Sequence, residues 1–316
     1  MQKPACERMT CYHVHRRRLY SARKQALTSA FAKRNGAGGG LDIVISHMSA
    51  LRYWRRFRGN PAELHPVRRP VPMPSSPFPD RALWAELEGA GFPLSRRQPV
   101  DLLFAGDAVR TRALGTRTHS TVRPLPVNAL IRLTDRVVIA SPELAFVQAA
   151  EQYGFAQLAL AGCELCGTYR VLDDAGKLLE RPEERHALTS AARIRSLIRG
   201  LGLGDETAAA RAARYVLDGA ASPMEAKVAL LLSLPGRLGG FGLPVPVLNA
   251  PLALSREAFA VYPHNPCRLD LYWPDARFDV EYDGGASHEG ERAHAKDVAR
   301  AAALELMGVE IGRAHV

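Results

Sequence analysis

The chain has 316 residues, 47% of them hydrophobic, and a formal net charge of +10, which is typical of a globular protein of about two domains. No apolar run approaches the roughly 18–20 residues that span a bilayer, and no apolar segment follows the basic N-terminus to make it a secretory signal. Five scattered cysteines form no disulfide framework. These features argue against a membrane or a secreted protein. We expect the protein to be located in the cytoplasm, where its cysteines stay reduced.

The first 40 residues show no sustained helical or strand period and end in the flexible sequence NGAGGG. Residues 1–60 contain 13 Lys and Arg and two acids, whereas the rest of the chain has a net charge of −1. We predict a disordered basic extension over 1–40. It is either an arm that contacts phosphate or an extension outside any fold, from a misassigned start.

Regular patterns begin near Asp42, with a short apolar strand, DIVIS, and Ser46 as N-cap of an amphipathic helix. A proline-rich stretch over 60–79 predicts an extended linker or lid. A helix that ends at Gly89 or Gly91 follows, and then two short strands, PVDLLFA and RVVIAS. The next helix begins at Ser141, with proline at its first position and glutamate beside it.

Three further helices are predicted over 157–171, with a break at Gly167, over 181–202 and over 205–220. Cys163 and Cys166 form a C-x-x-C pair, but no second pair supplies the four ligands of a zinc site, so we expect both to pack inside a helix. Residues 41–216 are thus predicted to be an α/β or winged-helix-like region.

The pattern changes at about residue 217. SPMEAKVALLLSLP repeats the Ser-Pro-x-Glu helix start, a Gly/Pro-rich approach leads to a strand, and RLDLYW and FDVEYD predict two strands around the turn PDAR. A last helix carries Lys296. Residues 217–316 therefore predict an α/β domain with a mixed sheet flanked by helices. The final EIGRAHV resembles a translated sequencing adapter, so we expect the reading frame to end near Val309 and the domain to be truncated.

The predicted hairpin gathers acidic side chains. If Trp273 lies opposite Phe278, antiparallel pairing puts Asp270 opposite Glu281, with Asp279 and Asp283 on the same face. Opposed like charges are destabilising unless they lie in open solvent or bind a cation. The first alternative is a solvated hairpin face, and the second is a site for Mg²⁺ or Mn²⁺ held by Asp270 and Glu281.

Two features favour the cation. Residues 217–316 have nine basic and thirteen acidic residues, a net charge of −4. Glu225, at the start of the preceding helix, is a further acid of the right type if the fold brings it close. An arginine that filled the gap between Asp270 and Glu281 would argue against this interpretation.

The segments SPMEAKVALLL, RLDLYWPDARFDVEYDGGASH and KDVARAAALELMGV resemble the restriction-endonuclease-like PD-(D/E)XK superfamily, in the branch related to very-short-patch repair endonucleases. The resemblance covers roughly 221–309. It implies a helical acid at Glu225, a metal-binding Asp at Asp270 and the Glu of the E-x-K element at Glu281. Asp283 stands where the lysine of that element would be, although this branch commonly shows E-x-D.

The same resemblance implies a functional histidine at His288 and matches Asp297 and Arg300 to a D-x-x-R helix. Lys296 could replace the missing lysine in space. Alternatively, His288 is an exposed loop histidine without a function, and Lys296, Asp297 and Arg300 form ordinary charge pairs along a helix surface. The N-terminal part, with SPELAFVQAA, an ELCG helix and the proline-rich lead, is similar to regions described as AbiEi-antitoxin-like or transcriptional-regulator-like, which implies a regulatory or DNA-binding role for residues 41–216.

These observations predict a Mg²⁺-dependent deoxyribonuclease that hydrolyses phosphodiester bonds, with DNA as its partner. Its site residues would be Glu225, Asp270, Glu281, Asp283, His288 and Lys296. The alternative is a catalytically inactive DNA-binding regulator, or an antitoxin that binds a toxin or another protein partner and keeps the acidic hairpin for structure alone.

Overall fold

The computed structural model describes residues 43–68, 74, 81–93, 95, 97–105, 115–121, 124–283 and 291–315. These residues form an α/β protein with mixed sheets of six, two and four strands, which confirms the predicted fold class. The expected basic extension and much of the proline-rich stretch lie outside the described residues.

The larger mixed sheet belongs to the N-terminal region and has the order β2-β5-β6-β1-β3-β4. Its strands are β1 (Ile43–Ile45), β2 (His65–Pro66), β3 (Val100–Ala105), β4 (Thr116–Thr121), β5 (Leu130–Arg132) and β6 (Val137–Ala140). β1 lies inside the sheet, parallel to β6 and antiparallel to β3. Both β1 and β6 are buried throughout, which explains why their sequences are continuous apolar runs rather than alternating ones.

Six helices of the described chain accompany this sheet. They are α1 (His47–Arg56), α2 (Arg81–Gly89), α3 (Pro142–Ala149), α4 (Phe155–Cys166), α5 (Ala191–Gly200) and α6 (Ala208–Ala213). The helix start predicted at Ser141 is confirmed, because the Ser141 hydroxyl accepts the Leu144 N–H at 3.2 Å. α2 ends at Gly89 and α4 at Cys166, as the glycines at these ends predicted.

The helix predicted over 181–202 is wrong for its first ten residues. After the break at Gly167 the chain forms a two-stranded antiparallel ribbon, which the sequence did not predict, of β7 (Tyr169–Leu172) and β8 (Leu178–Glu184). The predicted helix over 181–202 begins only at Ala191. The ribbon is stabilised by the buried Arg170, whose guanidinium bonds the carboxylate of Glu183 on the neighbouring strand. This pairing depends on contacts between separate strands, which the local sequence pattern does not reveal.

The C-terminal region forms the four-stranded mixed sheet β12-β11-β10-β9. Its elements are α7 (Pro223–Ser233), β9 (Val247–Leu252), α8 (Arg256–Val261), β10 (Cys267–Trp273), β11 (Phe278–Asp283), α9 (Glu291–Leu306) and β12 (Glu310–His315). β12 runs parallel to β11, and the other pairs are antiparallel. Residues 310–315 thus form a strand, and the expected frame end near Val309 stays a prediction.

The hydrophobic core continues across the expected boundary between residues 216 and 217. One cluster of buried side chains combines Ala159 and Cys163 of α4 with Leu230 of α7 and Leu271 and Trp273 of β10. The two regions therefore share apolar packing in addition to the backbone connection. No helix of the described chain has the length and apolar character of a membrane span.

Candidate active site

The acidic hairpin has the register that the sequence predicts. Trp273 pairs with Phe278 and Leu271 with Val280, and residues 274–277 form the turn. Continued by one step, this register sets Asp270 opposite Glu281. Arg277 adopts a left-handed conformation (φ 49°) at the end of the turn, where its N–H bonds the Pro274 carbonyl.

Asp270 is held against the neighbouring strand. Its Oδ2 atom accepts the backbone N–H of Tyr282 at 3.0 Å. Burial, followed by the negative charge of Glu281, raises the pKa of Asp270 to about 6. Asp270 and Glu281 therefore lie close enough for their negative charges to repel each other, which agrees with the strand register that sets them opposite one another.

Asp279 is fully buried and extends the acidic face below Glu281. Its Oδ1 atom accepts the Leu271 N–H at 3.1 Å. Its Oδ2 atom and the Oε1 atom of Glu281 are both buried and lack a hydrogen-bond partner among the described residues. Burial and the adjacent Glu281 raise the pKa of Asp279 to about 9. Two neighbouring acceptors without a donor require either a shared proton or a cation.

Arg300 brings a positive charge from α9 to this face. Its guanidinium donates to Oε2 of Glu281 and to the backbone carbonyl of Arg268. Both side chains of the ion pair are largely shielded from solvent. Among the described residues, Arg300 makes no hydrogen bond to Asp270, but its positive charge acts on both acids: it occupies one oxygen of Glu281 and opposes the rise in the pKa of Asp270.

Glu225 lies at the first turn of α7, where the Ser222 hydroxyl caps the helix by accepting the Glu225 N–H at 3.1 Å. The Glu225 side chain is buried, and its Oε2 atom accepts the Ala221 N–H at 2.8 Å and the Asn249 amide at 2.6 Å. Its charge also contributes to the raised pKa of Asp270. The fold therefore brings Glu225 towards Asp270, with one of its oxygens engaged by its own helix start.

Of the remaining predicted residues, only Lys296 has a described side chain. Lys296 is exposed on α9, one helical turn before Arg300, and forms no ion pair with a described acid. Asp283 pairs through its backbone with His315 in β12, but its side chain lies outside the described residues. His288 also lies outside them.

The C-x-x-C pair packs inside α4. Cys163 and Cys166 are both buried. Burial raises the pKa of both thiols, to about 12 for Cys163, so neither is a thiolate at neutral pH. This environment agrees with the predicted packing role.

Sequence reasoning missed a second cluster of side chains that could bind a metal ion. His47, His119 and Glu151 form the one group of three potential metal ligands in the described chain whose ligand atoms all lie within 4.8 Å of one another. They come from α1, β4 and the turn after α3. No local spacing links residues so far apart, so no motif signal could have revealed the cluster.

The acidic face thus combines Asp270, Asp279 and Glu281, with Glu225 and Arg300 at its border. Such a face can bind a hard cation through carboxylate oxygens or share protons between its acids. Comparisons of the chain with protein-family models, with curated proteins and with solved structures find no match.

Proposed function

We propose that the region over 217–316 is a Mg²⁺-dependent nuclease that hydrolyses phosphodiester bonds of DNA at the acidic face. One observation carries the proposal. Two partly buried acids, Asp270 and Glu281, face each other across a β-hairpin, and an oxygen of Glu281 lacks a donor. A folded protein keeps such an arrangement at a cost in stability, which function can explain.

The donor set fits a hard divalent cation. The unpartnered Oδ2 of Asp279 and Oε1 of Glu281 are carboxylate oxygens, the ligand type that Mg²⁺ and Mn²⁺ prefer. We propose that Asp270 and Glu281 hold the ion. When bound, the ion would lower the pKa of its water and neutralise charge on the phosphodiester.

The surrounding residues act by positioning these two acids. The Tyr282 N–H fixes Oδ2 of Asp270, and Arg300 orients Glu281 through Oε2 while it leaves Oε1 available. Lys296 on α9, or His288, is proposed to assist the attacking water or the leaving group. Asp283, in the place of the usual lysine, would order an outer water.

A catalytically inactive DNA-binding regulator or antitoxin is the second candidate. The ion pair between Arg300 and Glu281 favours it, because the guanidinium supplies a positive charge that a metal ion would otherwise supply. In that case the acidic face has only a structural role.

Calorimetric titration with Mn²⁺ tests the metal directly. We expect the wild type to bind the ion and Asp270→Asn to lose binding, because the amide preserves size but not charge. Asp275→Asn, which changes an exposed acid in the turn of the same hairpin, is the matched control and should keep the site. If the wild type does not bind Mn²⁺ and Arg300→Gln does, the arginine takes the place of the ion. That result would support the DNA-binding regulator.

Cleavage of plasmid and of single-stranded DNA with Mg²⁺ then tests the activity. Cleavage by the wild type and by Asp275→Asn, with at least about a 100-fold loss in Asp270→Asn, would support the nuclease. Equal cleavage by Asp270→Asn would identify a contaminating enzyme, and the proposal would fail.

A further inference from the structure

We infer that His47, His119 and Glu151 form a binding site for a divalent transition-metal ion, with zinc as the foremost candidate. The Nε2 atom of His47 lies 3.5 Å from Oε1 of Glu151. Zinc bonds of 2.0–2.2 Å in tetrahedral geometry place neighbouring ligand atoms about 3.3 Å apart. The observed separation is therefore close to that of two ligands of one ion.

The hydrogen bonds behind the two imidazoles leave one nitrogen of each ring free. Nε2 of His119 lies 3.0 Å from Oδ1 of Asp101, and because a carboxylate only accepts, this nitrogen carries the proton. The lone pair of His119 is then on Nδ1. Nδ1 of His47 lies 2.9 Å from the Ser46 hydroxyl, which leaves Nε2 towards Glu151. Outer partners of this kind orient histidine ligands in most metal sites.

Asp101 is itself rigidly placed. It is buried, and its Oδ2 atom accepts both the backbone N–H and the hydroxyl of Ser49 at 3.0 Å. Arg117 lies 3.6 Å from Oδ1 and Arg52 lies 3.9 Å from Oδ2, so the charge of Asp101 is balanced within its own network. Glu151 then supplies the one negative charge directed to the ion.

The backbone also directs His47 to this position. His47 adopts the left-handed conformation (φ 48°), which residues other than glycine rarely adopt, and its N–H donates to the Gln148 side chain at 2.9 Å. The imidazoles of His47 and His119 are stacked, with ring centroids 3.5 Å apart. Both imidazoles can bind one ion only after this stack opens, because the lone pairs lie in the ring planes and those of nearly parallel rings do not meet at one point.

The site is open to solvent and joins three distant segments. The side chain of Glu151 is 64% exposed, which provides an entry path and leaves room for water as a further ligand. His47 begins α1, His119 lies on the edge strand β4, and Glu151 follows α3. A bound ion would therefore connect a sheet edge to two helices of the N-terminal region.

The ligand chemistry separates this site from the acidic face. Two imidazoles suit zinc, copper and nickel, whereas Mg²⁺ selects oxygen ligands. The inference does not depend on the nuclease proposal, and either can fail alone.

Zinc titration calorimetry of the full chain tests the site. Cysteines at 6 and 11 and histidines at 13 and 15 could also bind zinc, so all proteins carry Cys6→Ser and Cys11→Ser. We expect Glu151→Gln and His119→Ala each to weaken the site by at least about 10-fold. The exposed residues Glu180 and His186 provide matched controls, as Glu180→Gln and His186→Ala, and should leave it unchanged.

Glu151→Gln changes an exposed side chain, so the test stands even if His119→Ala does not fold. Ser46→Ala removes the outer partner of His47 and should weaken zinc binding by about 10-fold. The protein that carries only Cys6→Ser and Cys11→Ser is the parent protein. Cobalt added to it should give a visible absorption spectrum without a thiolate charge-transfer band, and this spectrum should disappear in Glu151→Gln. No zinc binding by the parent protein, or equal affinity in Glu151→Gln, would overturn the inference.

Discussion

At the scale of single residues, Asp279 shows what the acidic face costs the fold. Its carboxyl group is fully buried, with Oδ1 bonded to the backbone of β10 and Oδ2 beside an unpartnered oxygen of Glu281. Because its pKa is raised to about 9, the group is protonated at neutral pH and can share its proton with Glu281; an amide would keep the first bond and donate in place of that proton.

We therefore predict that Asp279→Asn keeps the free energy of unfolding within about 1 kcal/mol at neutral pH, because the amide donates to Glu281 in place of the shared proton. Asp279→Ala should lower it by about 1–3 kcal/mol, because the buried Leu271 N–H loses its acceptor. Urea unfolding at neutral pH measures both. Equal destabilisation by the two variants would show that the unpartnered oxygens are not the source of the cost.

The thiols of α4 give a second prediction at this scale. Burial raises the pKa of Cys163 to about 12 and raises that of Cys166 as well, so both stay protonated and shielded at pH 8. Iodoacetamide at pH 8 should leave both unmodified in the folded chain and modify both after denaturation. Peptide mass spectrometry reads each site. Fast labelling in the folded state would contradict the packing of α4.

At the scale of elements, the two Ser-Pro-x-Glu starts show a local signal that survives in the fold. Ser141 and Ser222 each cap a helix through the side-chain hydroxyl. Ser46 precedes a helix too, yet its hydroxyl makes no capping bond and contacts His47 instead. The prediction of Ser46 as the N-cap residue is confirmed, but its hydroxyl contacts the neighbouring imidazole instead of the first turn of the helix.

Ser141→Ala should lower the free energy of unfolding by about 1 kcal/mol, because the first turn of α3 loses its acceptor. Ser141→Thr keeps a hydroxyl acceptor and should lose less. Chemical denaturation of the three proteins provides the measurement. A loss as large for threonine as for alanine would mean that packing at this buried position, and not the cap, determines the effect.

The ion pair between Arg300 and Glu281 joins α9 to β11. A double-mutant cycle with Arg300→Gln and Glu281→Gln should give a coupling energy of about 1–3 kcal/mol, since the pair is largely shielded from solvent. Unfolding free energies of the four proteins define the cycle. A coupling near zero would show that the helix is held to the sheet by apolar packing alone.

At the scale of the whole molecule, the core that crosses residue 216 couples the two regions. Leu271 is fully buried in this cluster beside side chains of α4. We predict one unfolding transition, with Leu271→Ala lowering stability by about 2–5 kcal/mol. Circular dichroism and tryptophan fluorescence should shift together.

Leu178→Ala is the control for this prediction, because Leu178 is 77% exposed, and its effect should stay within about 0.5 kcal/mol. Two separate transitions, of which only one responds to Leu271→Ala, would mean that the regions unfold independently.

The hairpin was predictable from the sequence because its determinants are local. A four-residue turn fixes which residues pair, and period-two alternation then fixes which side chains share a face. The same kind of reasoning failed for β7 and β8, where the buried Arg170 is paired by a neighbouring strand rather than by neighbours in sequence.

The sequence by itself determined the α/β class, the helix starts at Ser141 and Ser222, and the opposition of Asp270 and Glu281. Only the tertiary structure decided that Arg300 neutralises Glu281. It also decided that His47 meets His119 and Glu151. The physical reason is range: caps, turns and alternation act over a few residues, whereas these contacts depend on how separate elements pack.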